Sequence, residues 1–240
     1  MIGAVVIIPT YNEIENIEAV IRAVFSQSNY IHVLVVDDNS PDLTGKKVKA
    51  LQRDYTNRLF LETRTKKSGL GTAYIHGFRW CIEKKYDYIF EMDADFSHNP
   101  NDLPKLYQAC HNDGADMSIG SRYVTGVNVV NWPMGRVLLS YVASKYVRLI
   151  TGMKIHDTTA GFVCYKRIVL ETINLDKIKF IGYAFQIEMK FKTYLKKFKI
   201  KEVPVIFTDR TKGESKLSGG IISEAIFGVI SMKVKSLFTK

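Results

Sequence analysis

The stretch YIFEMDADFSHNP carries Asp93 and Asp95, one residue apart, at the end of an apolar run. Residues two apart point the same way on an extended chain, so the spacing predicts that the two carboxylates converge. Two ionised carboxylates that close together repel unless a cation or a proton lies between them. A hard divalent cation, Mg2+ or Mn2+, takes one or two carboxylates and completes its shell with water and phosphate oxygens. The pair therefore points to a metal-bound phosphate ester, a diphosphate above all. An exposed acidic turn after a strand explains the same residues, and a lone DxD does not separate the two.

Other polar clusters stand at comparable places. PTYNE closes an apolar run with Pro9 and then presents Tyr11 and Glu13. A ring there can stack on a base, and Glu13 can accept from a ribose or base. A helix start capped by Thr10 or Asn12 uses the same residues. VVDDNSPD ends a second run with Asp37 and Asp38, where nucleotide-binding α/β folds hold a ribose or base edge. No GxGxxG follows the first run and no GxxxxGK[ST] occurs, which argues against a dinucleotide dehydrogenase and a P-loop nucleotidase. TRTKKSGLGTAYIHGF joins a basic loop to a helix whose glycines allow close approach of backbone to a ligand or a strand. Arg136 and Ser140 are four apart and share a helix face, a fork and a hydroxyl suited to a terminal phosphate, although an arginine on a solvated helix face explains the same residue. His156 and Asp157 suggest acid–base work, which would be unneeded if the acceptor were a phosphate monoester, already an anion.

The elements that must position these residues are legible as period and punctuation. AVVIIP, HVLVVDD, RLFLET, YDYIFEMD and ADMSIGSR read as buried strands. Between them, 16–26, 44–54 and a stretch running to Lys85 read as helices. The alternation predicts a Rossmann-like, mostly parallel sheet flanked by helices. Ligands of such sheets bind beyond the carboxyl ends of the strands, so PTYNE, DDNSPD and DADFS are expected along one rim. After residue 123 the alternation weakens. An amphipathic helix is expected over 134–150, a loop entering a short strand at DTTAGFVCYKR, a helix over 185–198, a strand at IKEVPVIF and an amphipathic helix over 217–238. No linker divides the chain, so 1–240 is expected to form one domain.

Composition sets outer bounds. The net charge is +10, from 34 Lys and Arg against 24 Asp and Glu, which favours anionic partners. Nucleic acid is not expected, because no recognition motif is present. Cys81, Cys110 and Cys164 are far apart and form no CxxC, which suggests neither a disulfide framework nor a zinc site. No run of 18 apolar residues occurs, so no transmembrane helix is expected, and because the first residues run straight into a strand pattern, no signal peptide is expected either.

Taken in order, PTYNE, VVDDNSPDLT, GLGTAYIHGF, MDADFSHNP, GSRY, NWPMGRVLLS, TAGFVCYKR, GYAFQIEM and DRTKGESKL resemble the dolichol-phosphate mannose synthases. These are a branch of the inverting glycosyltransferase family 2, with the GT-A fold. The resemblance spans residues 4–220, and GLGTAYIHGF and DRTKGESKL are its most specific parts. It implies that Pro9, Tyr11, Glu13, Val36 and Asp38 hold the nucleotide of GDP-mannose. It places Asp93, Ala94 and Asp95 at the diphosphate, with Asp95 the direct ligand of Mg2+ or Mn2+. Ser97 falls where some members carry a glutamine ligand, and Arg122 matches an arginine near the phosphates. Arg136 and Ser140 match residues proposed to hold the acceptor phosphate, and Arg210 and Lys216 match residues closing over the donor diphosphate. One departure is Val163, where many relatives have arginine or lysine after GF.

The resemblance implies a single in-line displacement. Mannose passes from GDP-mannose to dolichyl or polyprenyl phosphate with inversion, giving a β-linked mannosyl phosphate. It implies a peripheral enzyme at the cytoplasmic face of a membrane, with 134–150 and 217–238 in the interface and room for a membrane-embedded partner subunit. UDP-glucose or UDP-N-acetylglucosamine on undecaprenyl phosphate is the rival within the fold. A non-catalytic membrane-docking subunit is the rival of another class.

Overall fold

A computed structural model of the chain describes residues 3–182, 184–209 and 220–238. Its first half alternates as the sequence predicts: β1 (Ala4–Thr10), α1 (Ile17–Phe25), β2 (Ile31–Asp37), α2 (Thr44–Leu51), β3 (Leu59–Thr63), α3 (Leu70–Glu83), β4 (Tyr88–Glu91), α4 (Leu103–His111) and β5 (Met117–Ser121). The second half is more irregular: β6 (Val129–Val130), α5 (Met134–Thr151), β7 (Val163–Lys166), α6 (Arg167–Thr172), α7 (Ala184–Leu195), β8 (Ile200–Pro204), β9 (Phe207–Thr208) and α8 (Gly220–Phe238).

Seven strands form one sheet in the order β3-β2-β1-β4-β7-β5-β8. All neighbours are parallel except β7, which runs antiparallel to both β4 and β5. The strands read as unbroken apolar runs because both faces of the sheet are covered. Along β1 the side chains alternate. Val5 and Ile7 enter one core with Phe78 and Cys81 of α3 and Phe185 of α7. Ala4, Val6 and Ile8 enter the other with Ile17 and Ile21 of α1 and Leu106 of α4.

IKEVPVIF departs from the single strand expected of it. It pairs with β5 as far as Pro204, then leaves the sheet, and Phe207–Thr208 pairs with Val129–Val130 in a separate two-stranded ribbon. Pro204 lacks an N–H and is tolerated because β8 is an edge strand; the last contact to β5 is the Val205 N–H to Ser121 O at 3.1 Å. The ribbon carries Phe207 towards the carboxyl end of β4, where its ring meets His98 edge-on at 5.6 Å.

The glycines of α3 are packing devices. A Cβ on Gly77 would stand 2.9 Å from Ile7 Cγ2, and one on Gly71 would stand 2.7 Å from Phe185 Cδ2. The close approach anticipated for this motif is thus to a strand and to another helix.

Candidate active site

Three strand ends meet along one edge. At the ends of β1 and β2, Thr10 Oγ1 donates to Asp37 Oδ1 at 2.8 Å, and Asp37 also accepts from Ser40 N and Ser40 Oγ. Asp37 is buried and ties the two strand ends together. Asp38 has a different partner. Arg64 grips both its oxygens, through Nε at 2.6 Å and Nη2 at 2.7 Å, and Arg64 Nη1 reaches Thr72 Oγ1 at 2.8 Å. The Tyr11 ring lies under the Lys67 ammonium, 4.4 Å away. Glu13 begins the turn into α1, where its N–H donates to Thr44 Oγ1. The Val36 side chain is wholly buried in the core rather than presented at the rim.

At the end of β4 the extended geometry stops at Glu91. The expectation that Asp93 and Asp95 lie on one extended run is therefore corrected. Residues 94–98 bend, Phe96 takes a left-handed φ of 61°, and Asp95 Oδ1 accepts the Ser97 N–H at 3.0 Å. Asp95 and Ala94 are buried, whereas the Asp93 side chain is 37% exposed. Ser97 Oγ is buried with no hydrogen-bond partner among the described residues. Two carboxylates and an orphaned hydroxyl form a hard-oxygen set that fits Mg2+ or Mn2+, with water and phosphate to complete it. His98 is outside that set, because its Nδ1 accepts the Asp93 N–H at 3.0 Å.

Arg122, at the end of β5, is 7% exposed and held by Asp157, which is fully buried. Arg122 N, Nε and Nη2 donate to the Asp157 carboxylate at 3.0, 2.7 and 2.6 Å, and Nη2 also reaches Thr159 Oγ1. Burial opposes charge on Asp157, but the adjacent guanidinium outweighs it and holds the carboxyl below its usual range. His156 has no role in that pair; its N–H and ring Nδ1 both contact Glu202 Oε2 at 2.8 Å. On α5, Arg136 lies 4.1 Å over the Trp132 ring and donates to Asp209 Oδ1 at 2.8 Å.

Asp93, His98, Arg122, Arg136 and Ser140 line one cavity of about 450 Å³, whereas Tyr11, Glu13, Asp38, Asp95 and Ser97 are not part of its lining. Leu139 and Val142 of α5 and Ile226 of α8 make part of its wall apolar. Arg210 and Lys216 lie outside the described residues. Sequence reasoning missed Arg64 as the partner of Asp38, and it considered Asp157 for acid–base work rather than as the partner of Arg122. Each pairs with a residue 26 or 35 positions away, and its only sequence signal is an acid or a base inside a motif already singled out.

The pattern of Glycosyl transferase family 2 matches residues 5–173. The chain belongs to that family. It is 45% identical over 230 residues to the polyprenol monophosphomannose synthase of Mycolicibacterium smegmatis, covering 96% of this chain and 86% of that one. It is 45% identical to the undecaprenyl-phosphate mannosyltransferase of Micrococcus luteus, covering 93% and 90%. It is 40% identical to the dolichol-phosphate mannosyltransferase of Pyrococcus furiosus, over 91% of this chain and 60% of that longer one. Among solved structures, glucosyl-3-phosphoglycerate synthase of Mycobacterium tuberculosis with Mn2+, UDP and glucosyl-3-phosphoglycerate matches with TM-score 0.71 at 16% identity, covering 96% of this chain and 79% of that one. The same synthase with Mg2+ and UDP matches with TM-score 0.69 at 16% identity, covering 98% and 79%. At that identity the likeness establishes the fold. This family 2 chain is a glycosyltransferase with the GT-A fold.

Proposed function

We propose that the protein transfers mannose from GDP-mannose to a polyprenyl phosphate, with inversion, at a membrane surface. The observation that carries the reading is one cavity lined by Asp93, Arg136 and Ser140 together with apolar side chains of α5 and α8. A nucleotide-sugar and a lipid phosphate need such a space between them. The relatives named for polyprenol, undecaprenyl and dolichol phosphate support the acceptor class and the sugar.

In this reading the nucleotide lies along the rim of Tyr11, Glu13 and Asp38, with Asp38 fixed by Arg64. Asp93, Asp95 and Ser97 hold Mg2+ or Mn2+, which when bound supplies positive charge to the departing nucleoside diphosphate. Arg122 adds a fixed guanidinium nearby, aimed by Asp157. Arg136 and Ser140 hold the acceptor phosphate, whose oxygen attacks the anomeric carbon from the side opposite the diphosphate. That oxygen is already anionic near neutral pH, so no protein base is required. Arg210 and Lys216 are assigned to the donor diphosphate by their place in the DRTKGESKL motif.

No helix among the described residues is long and apolar enough to cross a membrane. Lipid access is assigned to the exposed apolar side chains of α5 and α8, lying at the cytoplasmic face. The test is turnover by purified protein with a short polyprenyl phosphate and Mg2+ or Mn2+, offered GDP-mannose, UDP-glucose and UDP-N-acetylglucosamine separately. Mannosyl lipid from GDP-mannose, lost with a chelator and in a folded Asp95→Ala variant, is expected. Product from a UDP-sugar alone would overturn the donor. Near-normal turnover by Asp95→Ala would overturn the metal assignment.

A further inference from the structure

Beneath Asp93 lies a buried polar network that the reaction scheme above leaves unused. Glu91 is fully buried on β4, and Lys190 is fully buried on α7. Gln186 stands between them. Its Nε2 donates to Glu91 Oε2 at 2.6 Å, and its Oε1 accepts from Lys190 Nζ at 3.3 Å. Lys190 Nζ also donates to Ala160 O at 2.6 Å, which anchors the loop that ends in Gly161. The amide of Gln186 is therefore held at both ends, and its orientation is fixed. One N–H of Nε2 is used by Glu91. The second has no acceptor among the described residues, and Gln186 lines the cavity.

His98 faces the same place with a fixed tautomer. Its Nδ1 accepts the Asp93 N–H, so the neutral ring carries its proton on Nε2. The ring is stacked on Phe162 at 4.9 Å, with Phe207 edge-on, and it too lines the cavity. Nε2 makes no hydrogen bond among the described residues; the nearest carboxylate oxygen, Asp93 Oδ2, is 3.9 Å away. Gly161 opens the space between the two donors. A Cβ built there would stand 3.8 Å from Gln186 Nε2, 4.0 Å from His98 Nε2 and 3.6 Å from His98 Cε1. Two neutral N–H donors thus border a point that this chain leaves empty by having glycine, and the Asp93 carboxylate lies 3.9 Å from one of them.

We infer that this notch of His98, Gly161, Gln186 and Asp93 takes one hydroxyl of the donor sugar. A hydroxyl offers two lone pairs and one proton. The two N–H groups fill the lone pairs, and Asp93 Oδ2 accepts the proton. The match is to a hydroxyl rather than to a phosphate, because both donors are neutral and a carboxylate faces them. The inference rests on the donor-sugar reading above and adds residues that recognise the sugar itself.

Gly161→Ala is the decisive variant. Gly161 does not hold a left-handed φ, and the added methyl meets its neighbours at ordinary contact distances, so the fold is retained. The methyl fills the notch. Calorimetric titration of wild type and variant with GDP-mannose and with GDP, and with UDP-glucose and UDP, reads the sugar separately from the nucleotide. The expected result is a loss of about tenfold or more in affinity for the sugar nucleotide, since a displaced hydroxyl leaves buried donors unpaired. Affinity for the matching nucleoside diphosphate is unchanged. An unchanged ratio between the two, or an equal loss of both, would overturn the notch. Wild-type binding of UDP-glucose in place of GDP-mannose would overturn the donor identity while leaving the notch to be judged on the UDP pair. Failure of wild type to bind any of these sugar nucleotides would overturn both. With wild-type protein alone, donors lacking one sugar hydroxyl at a time give an independent measure: one member loses affinity, and equal binding by all of them would overturn the assignment.

Discussion

At the scale of single residues, the most exacting arrangement is Asp157 against Arg122. A fully buried carboxylate is costly, and the three contacts from Arg122 with its adjacent charge are the main reason that the ionised form is favoured. Removing one partner leaves the other buried and uncompensated. Asp157→Asn is therefore expected to destabilise the fold by about 3–5 kcal/mol, whereas replacing both residues with apolar ones of similar volume costs less than the sum of the two single changes. The pH dependence has a definite sign. The folded carboxyl titrates below its unfolded value of about 4, so its contribution is complete above that pH and fades as the pH falls through the folded value. Urea unfolding of wild type and Asp157→Asn from neutral pH downwards checks this. The gap between them should narrow only in the acid range, and a gap independent of pH would refute the assignment.

At the scale of elements, what the sequence discloses and what it conceals divide along the range of the contacts. The strands before residue 123 are legible because each is buried on both faces and writes its burial as an unbroken apolar run. The rim is legible because chain polarity in a parallel sheet puts PTYNE, DDNSPD and DADFS at the same end. The antiparallel insertion of β7 is not legible, since pairing Val163 with both Glu91 and Ile119 is decided by residues 72 and 44 positions away. The grip of Asp157 on Arg122, 35 positions apart, is concealed for the same reason, whereas the turn at Asp95 is local, closed by the Ser97 N–H two residues on. The glycines of α3 fall between: their small size is visible, their neighbour is not. Gly71 tests that neighbour. Alanine there gains helix propensity, but its Cβ would collide with Phe185 and with the main-chain oxygen of Phe180, 3.0 Å away. Overpacking outweighs the propensity gain, so Gly71→Ala is expected to lose about 1–2 kcal/mol. Thermal unfolding reads the sign directly: a higher melting temperature would mean that α3 and α7 have room to separate.

At the scale of the whole molecule, charge and apolar exposure coincide. The chain carries a net +10, and α5 and α8 together leave a run of large apolar side chains in the open. Met134, Leu138, Val142 and Leu149 recur at helical spacing on α5, with Leu149 82% exposed. Phe227, Val234 and Phe238 do the same on α8, with Phe227 73% exposed. Tyr146 Oη donates to Ile226 O at 2.9 Å, and Lys233 Nζ donates to Thr151 O at 3.2 Å, so the two helices are tied side by side. An apolar wall of the cavity is made by the same pair of helices, so a lipid chain leaving the proposed phosphate site at Arg136 and Ser140 need not cross water. Binding to vesicles containing anionic lipid should then have two parts, a salt-sensitive one from the basic surface and a salt-resistant one from the inserted side chains. Leu149→Asp combined with Phe227→Asp removes the second part. Both positions are exposed, so the melting temperature should barely move. Each lost apolar insertion is worth about 1.5–3 kcal/mol, enough to weaken membrane binding more than about tenfold. Flotation at low and high salt distinguishes the two parts. The double variant should bind weakly at low salt and not at all at high salt, while wild type retains binding at both. Equal flotation of variant and wild type at high salt would mean that this face does not enter the bilayer, and that the lipid phosphate reaches Arg136 and Ser140 by another path.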